Sequence, residues 1–185
     1  LEYDRLGDDS IGNGCAFGRR RWEISMSASL LQTKFSAHNW VDLLRSRAEQ
    51  HPARIAQTFL SNGEDVEINL SFGELDQHAR RIAAVLQQHV AEGERALLLY
   101  APGTEFICAF MGCLYAKVVA VPVYPPRRGQ MDNRLLGIAL DAQPAVILTS
   151  DKIRSELQAS YSEMLQASGI QVLASDKIPL DLADE

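Results

Sequence analysis

The chain has 185 residues, of which 46% are hydrophobic and 23% are charged, and its formal net charge is −6. This composition is ordinary for a globular protein, and a chain of this length buries about 70% of its unfolded surface in one domain. The acidic balance argues against nucleic-acid binding, which needs a basic face. The one basic cluster, Arg19–Arg21, is too short to change that conclusion.

The three cysteines, Cys15, Cys108 and Cys113, show neither metal-ligand spacing nor a disulfide framework. This usage fits a reducing environment, so we expect a cytoplasmic protein without a metal site in this chain. Cys108 and Cys113 fall in an apolar segment and are expected to be small buried hydrophobic residues. No membrane span is predicted, because Lys117 and Pro122 interrupt the longest apolar run before it reaches about 18 residues.

Residues 1–27 differ in character from the rest of the chain. They contain four glycines, little hydrophobic periodicity and no methionine before Met26. We expect this leader to be disordered or to be translated sequence upstream of the natural start, and we assign the folded domain to residues 28–185.

The folded domain is predicted to begin with a helix and a hairpin. A helix from Trp40 to Gln50 is capped by Asn39 and ends at His51-Pro52. Two extended runs follow, Ile55–Leu60 and Val66–Leu70, and the five residues between them include Asn-Gly. This connection is typical of a β-hairpin.

The next helix has the clearest local signal in the chain. Ser71 and Glu74 have the spacing of a capping box, and Leu70 and Leu75 form the matching hydrophobic staple. One apolar stripe is expected to consist of Phe72, Leu75, Ala79, Ile82, Leu86 and Val90, with Arg80, Arg81, Gln87 and Gln88 on the other faces.

The centre of the chain reads as a βαβ crossover. A strand at Ala96–Tyr100 runs into Pro102-Gly103, a helix apolar on nearly every face follows, and a β-branched strand covers Val118–Val123. Two strands joined by such a crossover must run parallel in one sheet.

The same alternation continues to the end of the domain. The pattern predicts a helix at Asn133–Ala142 stopped by Pro144, a strand at Ala145–Leu148, a helix at Lys152–Ala167 closed by Gly169, and a strand at Ile170–Leu173. The predicted fold class is therefore α/β, with an open, mostly parallel sheet, helices on both faces and one β-hairpin.

Three segments have the character of family signatures: LSFGELDQHARRIAAVLQ (Leu70–Gln87), AFMGCLYAKVVAVPVYPPRR (Ala109–Arg128) and DNRLLGIALDAQPAVILTS (Asp132–Ser150). In this order and spacing they resemble the N-terminal domain of the adenylate-forming (acyl-activating) enzymes, and the resemblance extends from Phe35 to about Leu173. The run Val-Tyr-Pro-Pro-Arg at Val123–Arg127 is more typical of the fatty acid–AMP ligase branch.

The residues that carry the resemblance are expected to be structural. They are Ser71, Glu74, Leu75, Pro122, Tyr124, Pro125, Pro126 and Arg127. Two consecutive prolines remove backbone donors and end sheet pairing, so their simplest role is to terminate a strand. Relatives usually have glycine where this chain has Lys117; in a left-handed helix cap, lysine costs roughly 1 kcal/mol relative to glycine.

The resemblance implies a function for the whole enzyme. Such an enzyme activates a fatty acid with ATP and Mg²⁺ and passes the acyl group to the phosphopantetheine arm of an acyl carrier protein. The Ser/Thr/Gly-rich phosphate loop and the other reacting residues of the family lie downstream of the region matched here. We therefore expect a partial domain, truncated before that loop, with no catalytic, nucleotide-binding or metal-binding residue and no activity of its own.

Other polar candidates are weaker, and two alternatives stay open. Glu105, after the Pro102-Gly103 turn, occupies the helix N-terminus where a phosphate would bind, and the four histidines are scattered. The alternatives are a non-catalytic docking or acyl-binding module and an incomplete reading frame without an autonomous role.

Overall fold

The computed structural model describes residues 37–64, 67–126 and 133–179. The predictions for residues 1–27 therefore lie outside the described residues. In chain order the elements are α1 (Trp40–Gln50), β1 (Ile55–Leu60), β2 (Glu67–Ser71), α2 (Phe72–His89), β3 (Arg95–Leu99), α3 (Thr104–Tyr115), β4 (Val119–Val123), α4 (Asn133–Ala142), β5 (Val146–Thr149), α5 (Asp151–Ser168), β6 (Gln171–Ala174) and a 3₁₀ turn, Ser175–Lys177.

The strands form one parallel sheet and one hairpin, as predicted. The sheet has the order β4-β3-β5-β6 with every neighbouring pair parallel, and β1 pairs with β2 antiparallel. Strand β3 therefore lies between β4 and β5, and the chain adds β4 on one side of β3 and then β5 and β6 on the other. The predicted α/β class is confirmed.

Helices cover both faces of the sheet because successive strand residues point to opposite faces. Ala96 and Leu98 of β3 join the core formed with α2 and α3, whereas Leu97 and Leu99 pack with Leu135, Leu157 and Tyr161 of α4 and α5. No helix in the described ranges is long and apolar enough to cross a membrane.

The predicted strand boundaries in the second half are wrong by one residue. The fifth strand extends to Thr149, which is polar but fully buried, because its hydroxyl donates a hydrogen bond to the Leu99 carbonyl at 2.6 Å. The last strand likewise covers Gln171–Ala174 and not 170–173. A polar residue can therefore occupy a buried strand when the adjacent strand supplies an acceptor.

The predicted helix caps are present in the structure. Asn39 Oδ1 accepts from the Asp42 N–H at 2.8 Å at the start of α1. At α2, Ser71 Oγ accepts from the Glu74 N–H at 3.3 Å, and Glu74 Oε2 accepts from the Ser71 N–H at 2.8 Å. These two reciprocal hydrogen bonds fix the residue at which α2 begins.

Lys117 does adopt the left-handed conformation, with φ 57°. The Val118 N–H bonds to the Cys113 carbonyl and the Lys117 N–H to the Leu114 carbonyl, which is the Schellman arrangement at the end of α3. The Lys117 ammonium meets Glu92 at 2.8 Å, but both side chains are exposed, so this ion pair offsets little of the backbone strain.

Helices α2 and α3 approach each other closely at Gly112. A Cβ atom at that position would lie 2.5 Å from Ile82 Cγ2 and 3.3 Å from the Ala79 carbonyl oxygen. Glycine is thus required by space, since its backbone conformation is an ordinary helical one.

Candidate functional site

A cavity of about 410 Å³ opens at the carboxyl ends of β3 and β4, between the sheet and the hairpin. In open α/β sheets, ligands bind at the carboxyl ends of the strands, and this volume lies within the usual range for small-molecule sites. Its walls are Gln57, Phe59, Tyr100, Ala101, Pro102, Gly103, Phe106, Ile107, Pro122, Val123 and Tyr124.

The cavity walls are apolar and uncharged among the described residues. Three of the lining side chains carry polar atoms: Gln57, Tyr100 and Tyr124. Tyr124 is 69% exposed and stands in the rim. This lining favours an uncharged, largely apolar ligand group, because a buried charge would have no partner there.

The Tyr100 side chain is held in place by a hydrogen bond to Ser175. Its hydroxyl donates to Ser175 Oγ at 2.8 Å, and Ser175 Oγ in turn lies 3.4 Å from the Thr149 carbonyl. Burial raises the pKa of the Tyr100 phenol, so this side chain forms a neutral part of the cavity wall.

The hairpin contributes Gln57 through a β-bulge. The pairing register shifts between Ile55, which lies opposite Ser71, and Gln57, which lies opposite Leu70. As a result Ala56 and Gln57 are both turned inward: Ala56 packs against the core, and Gln57 reaches the cavity with Phe59 two residues later.

The α3 N-terminus borders the cavity but does not fit a triphosphate. Gly103 is its N-cap and makes no side-chain capping bond, while Glu105 occupies the first turn. Desolvation and then the Asp176 carboxylate raise the pKa of Glu105. Two carboxyl groups near this positive helix end oppose phosphate binding, in line with the expectation for Glu105.

The described residues contain no group of three or more His, Cys, Asp or Glu side chains that could hold a metal ion. Burial raises the pKa of the Cys108 and Cys113 thiols to about 12, so both remain neutral and are buried, as expected from the sequence.

The signature residues occupy two separate places. Ser71, Glu74 and Leu75 form the start of α2, where Leu75 is buried. Pro122 and Tyr124 line the cavity at the end of β4. Pro125 and Pro126 follow the strand outside regular secondary structure, and Arg127 lies outside the described residues.

Two polar side chains of α2 are buried although the sequence pattern did not predict it. Arg81, which lies off the predicted apolar stripe, is only 6% exposed, and Asp76 is also 6% exposed. The helix is enclosed more widely than its stripe indicates, because α1 and α3 cover one side and Ile178, after the 3₁₀ turn, reaches Arg81. Arg81 is therefore buried although it lies off the predicted apolar stripe.

Asp76 is the centre of a polar cluster that ties three helices together. Its Oδ1 accepts from the Tyr115 hydroxyl at 2.5 Å, and its Oδ2 meets Arg80 at 2.8 Å. The Arg45 guanidinium lies 4.9 Å from the centre of the Tyr115 ring. Burial and then the Asp76 bond raise the pKa of Tyr115, which therefore donates as a neutral phenol.

Arg81 has uncharged partners among the described residues. It meets His78 Nδ1 through a short contact and reaches the Ile178 carbonyl at 3.5 Å, and its Nε has no partner there. Burial, and then Arg81, lower the pKa of His78, which is half-buried. Neither group borders the cavity.

Comparison with known proteins decides the family. A family model described as AMP-binding enzyme matches residues 44–184, which is more than half of the chain. The chain belongs to the AMP-binding enzyme family. This confirms the resemblance drawn from the three signature segments.

Curated relatives give a finer comparison. The chain is 47% identical over 149 residues to the medium-chain-fatty-acid–[acyl-carrier-protein] ligase JamA of Moorena producens, covering 78% of this chain and 25% of the relative. It is 29% identical over 142 residues to the long-chain-fatty-acid–AMP ligase FadD23 of Mycobacterium tuberculosis, covering 75% and 24%. The chain thus spans about a quarter of the length of these relatives.

Solved structures agree with this placement. A fatty acyl-adenylate ligase from L. pneumophila, solved with acyl adenylate and pyrophosphate, matches with a TM-score of 0.71 at 32% identity over 86% of this chain and 26% of its own. The adenylation and carrier unit of McyG, solved with phenylalanyl-adenylate, matches with a TM-score of 0.63 at 20% identity over 74% and 22%. The latter supports the fold alone.

Proposed function

We propose that this chain is the N-terminal part of a fatty acid–AMP ligase. In that reaction a fatty acid carboxylate attacks the α-phosphorus of ATP, the bond to the leaving pyrophosphate breaks, and an acyl-adenylate forms. The observation that supports this function best is the 47% identity to a relative named as a fatty-acid–[acyl-carrier-protein] ligase. The 32% identity to a fatty acyl-adenylate ligase of known structure supports the same reaction class.

A relative supports a proposal for the partner, and the cysteines support one for the location. The acyl group would pass to an acyl carrier protein, since the relative with 47% identity is named for that acceptor. A cytoplasmic location is proposed from the cysteine usage, because Cys108 and Cys113 are buried as free thiols. Domain assignment of residues 28–185 to one partial adenylation domain is part of this proposal.

The described part of the chain would contribute walls and not reacting groups. The cavity at the carboxyl ends of β3 and β4 offers apolar surface, while α2 and α3 hold the sheet from one face. ATP and Mg²⁺ would be held by residues outside the described ranges. We therefore expect the 185-residue chain alone to have no ligase activity.

The test is fatty-acid-dependent ATP–pyrophosphate exchange. It is measured with the 185-residue chain and with the product of the natural reading frame, obtained by sequencing the coding DNA on both sides of this region. We expect exchange with dodecanoate for the longer product and none for the chain alone. A longer product that exchanges only with amino acids, or not at all, would overturn the ligase assignment; exchange by the chain alone would overturn its predicted inactivity.

A further inference from the structure

Gln57 places an unsatisfied amide oxygen in a largely apolar cavity wall. Its Oε1 is buried and has no hydrogen-bond partner in the part of the chain that the structure describes. Buried amide oxygens are almost always bonded, so a ligand in the cavity can supply the bond that this oxygen lacks within the described residues. Of the two other polar side chains in the wall, Tyr100 donates to Ser175, and Tyr124 is 69% exposed at the rim.

The position of Gln57 is produced by the bulge and not by ordinary strand alternation. In a regular strand Ala56 and Gln57 would point to opposite sides of the hairpin. The register shift after Ile55 turns both inward, which places the carboxamide at the cavity. Bulges re-aim side chains in this way beside binding sites.

The cavity wall limits which ligand group can pair with Gln57. It must be uncharged, because no charged side chain among the described residues lines the cavity, and mostly apolar, because Phe59, Phe106 and Ile107 form much of the wall. A hydroxyl group both donates and accepts, so it can pair with the carboxamide in either orientation of the amide.

We propose that the cavity binds an alkyl chain that carries a hydroxyl group, and that the Gln57 carboxamide forms a hydrogen bond with this hydroxyl. Under the proposed function, on which this identification of the occupant rests, the chain is the tail of the acyl substrate. Gln57 is then a specificity-determining residue that favours a hydroxylated fatty acid over a plain one. An unsubstituted alkyl chain would leave the amide oxygen buried and unpaired.

The test compares two isomeric probes on the 185-residue chain. 1-Hexanol and 1-methoxypentane have the same atoms, but only the alcohol has an O–H donor. Dissociation constants are measured by NMR titration for the chain and for Gln57→Leu. We expect the ratio of the two constants, ether over alcohol, to be at least about fivefold higher in the chain than in Q57L. Equal ratios would overturn the role of Gln57.

A second pair of variants locates the binding. Gly103 lines the cavity, and a Cβ atom there meets nothing within 4 Å, so Gly103→Leu adds a side chain to the wall without a clash at its base. Gly137 of α4 is equally open but does not line the cavity, so Gly137→Leu is the matched control. We expect G103L to weaken 1-hexanol binding about tenfold or more and G137L to leave it unchanged. Equal effects of both would place the binding elsewhere and overturn the assignment.

Failure of this inference can be told apart from failure of the proposed function. The probe titration needs neither ATP nor a reaction, so equal binding of the two isomers overturns only the proposed hydrogen bond between the hydroxyl and Gln57. Selective binding of the alcohol, combined with a longer product that shows no fatty-acid-dependent exchange, overturns only the ligase proposal. Thermal unfolding of Q57L and G103L confirms that each variant is folded before it is titrated.

Discussion

The interface of α2 with α3 and the cavity at the carboxyl ends of β3 and β4 border the same strand, β3, yet they are built in opposite ways. At the interface, Gly112 allows close contact, and Asp76 has its hydrogen bonds satisfied by Tyr115 and Arg80. At the cavity, the wall is open and a buried amide oxygen of Gln57 has no partner among the described residues.

This difference indicates that the interface of α2 with α3 determines stability, whereas the cavity determines ligand binding. Dense packing and satisfied polar groups leave no room for a ligand, so substitutions there should change the free energy of unfolding. Open space with an unsatisfied group is the arrangement that a ligand completes, so substitutions there should change binding more than stability. The following variants test this division, from the largest expected effect to the smallest.

Asp76→Ala should cause the largest loss of stability. It removes the acceptor for the buried Tyr115 hydroxyl and the partner of Arg80, so we expect the free energy of unfolding to fall by about 3 kcal/mol. Asp76→Asn keeps an acceptor for Tyr115 and should lose about 1 kcal/mol. The measurement is urea unfolding at neutral pH. Equal losses in the two variants would show that the hydrogen bond to Tyr115 is not the main contribution.

Gly112→Ala tests the close approach of α2 and α3. The added methyl group overlaps Ile82, so we expect a loss of about 2 kcal/mol as the helices separate or Ile82 leaves its rotamer. Gly137→Ala, where the added Cβ meets nothing, should be neutral or slightly stabilising because alanine favours helices. A neutral G112A would contradict the described contact between the two helices.

His78 should make stability depend on pH. Its pKa in the folded chain lies below its ordinary value of 6.5, owing first to burial and then to Arg81, with Glu74 acting in the opposite direction. The unfolded chain therefore binds the proton more tightly. This contribution to stability is fully present above pH 6.5 and is lost as the pH falls through the folded pKa.

We expect the free energy of unfolding to decline between pH 7 and pH 5, and His78→Gln to remove part of that slope. The comparison uses chemical unfolding of both proteins at several pH values. Parallel curves for the chain and H78Q would assign the pH dependence to other groups.

Lys117→Gly should have the smallest effect on the free energy of unfolding, and it should raise stability where Asp76→Ala and Gly112→Ala lower it. Glycine removes the strain of a left-handed residue at the end of α3, while the exposed pair with Glu92 is lost. The net result should be a gain of about 0.5 kcal/mol in the free energy of unfolding. Glu92→Gln, which removes the ion pair alone, is the control; a loss of stability in K117G larger than in E92Q would contradict this explanation.

Most of the fold could be predicted from hydrophobic periodicity and from residues that cap or stop elements. Ser71 with Glu74, Pro144 and Gly169 mark boundaries by local chemistry, which needs no tertiary information. The boundary at Thr149 was missed because its burial depends on an acceptor in the neighbouring strand. The burial of Arg81 was missed for a similar reason, since distant segments cover it.

The cavity was only partly predictable. Pro102-Gly103 and Tyr124 each follow a strand of the predicted crossover, and parallel neighbouring strands end at the same edge of the sheet. Gln57 could not be assigned to that edge, because its direction depends on a bulge and on where the hairpin packs. Sequence periodicity thus predicts the sheet edge but not the side chain that gives it specificity.

The most direct test of the division between the two regions is a backbone amide shift map of the ¹⁵N-labelled chain titrated with 1-hexanol. We expect the shifts to concentrate at Gln57, Gly103 and Tyr124 and to be absent at Gly112 and Tyr115 of the packed interface. Shifts centred on the interface, or no saturable shifts at the cavity, would contradict the assignment of recognition to the carboxyl ends of β3 and β4.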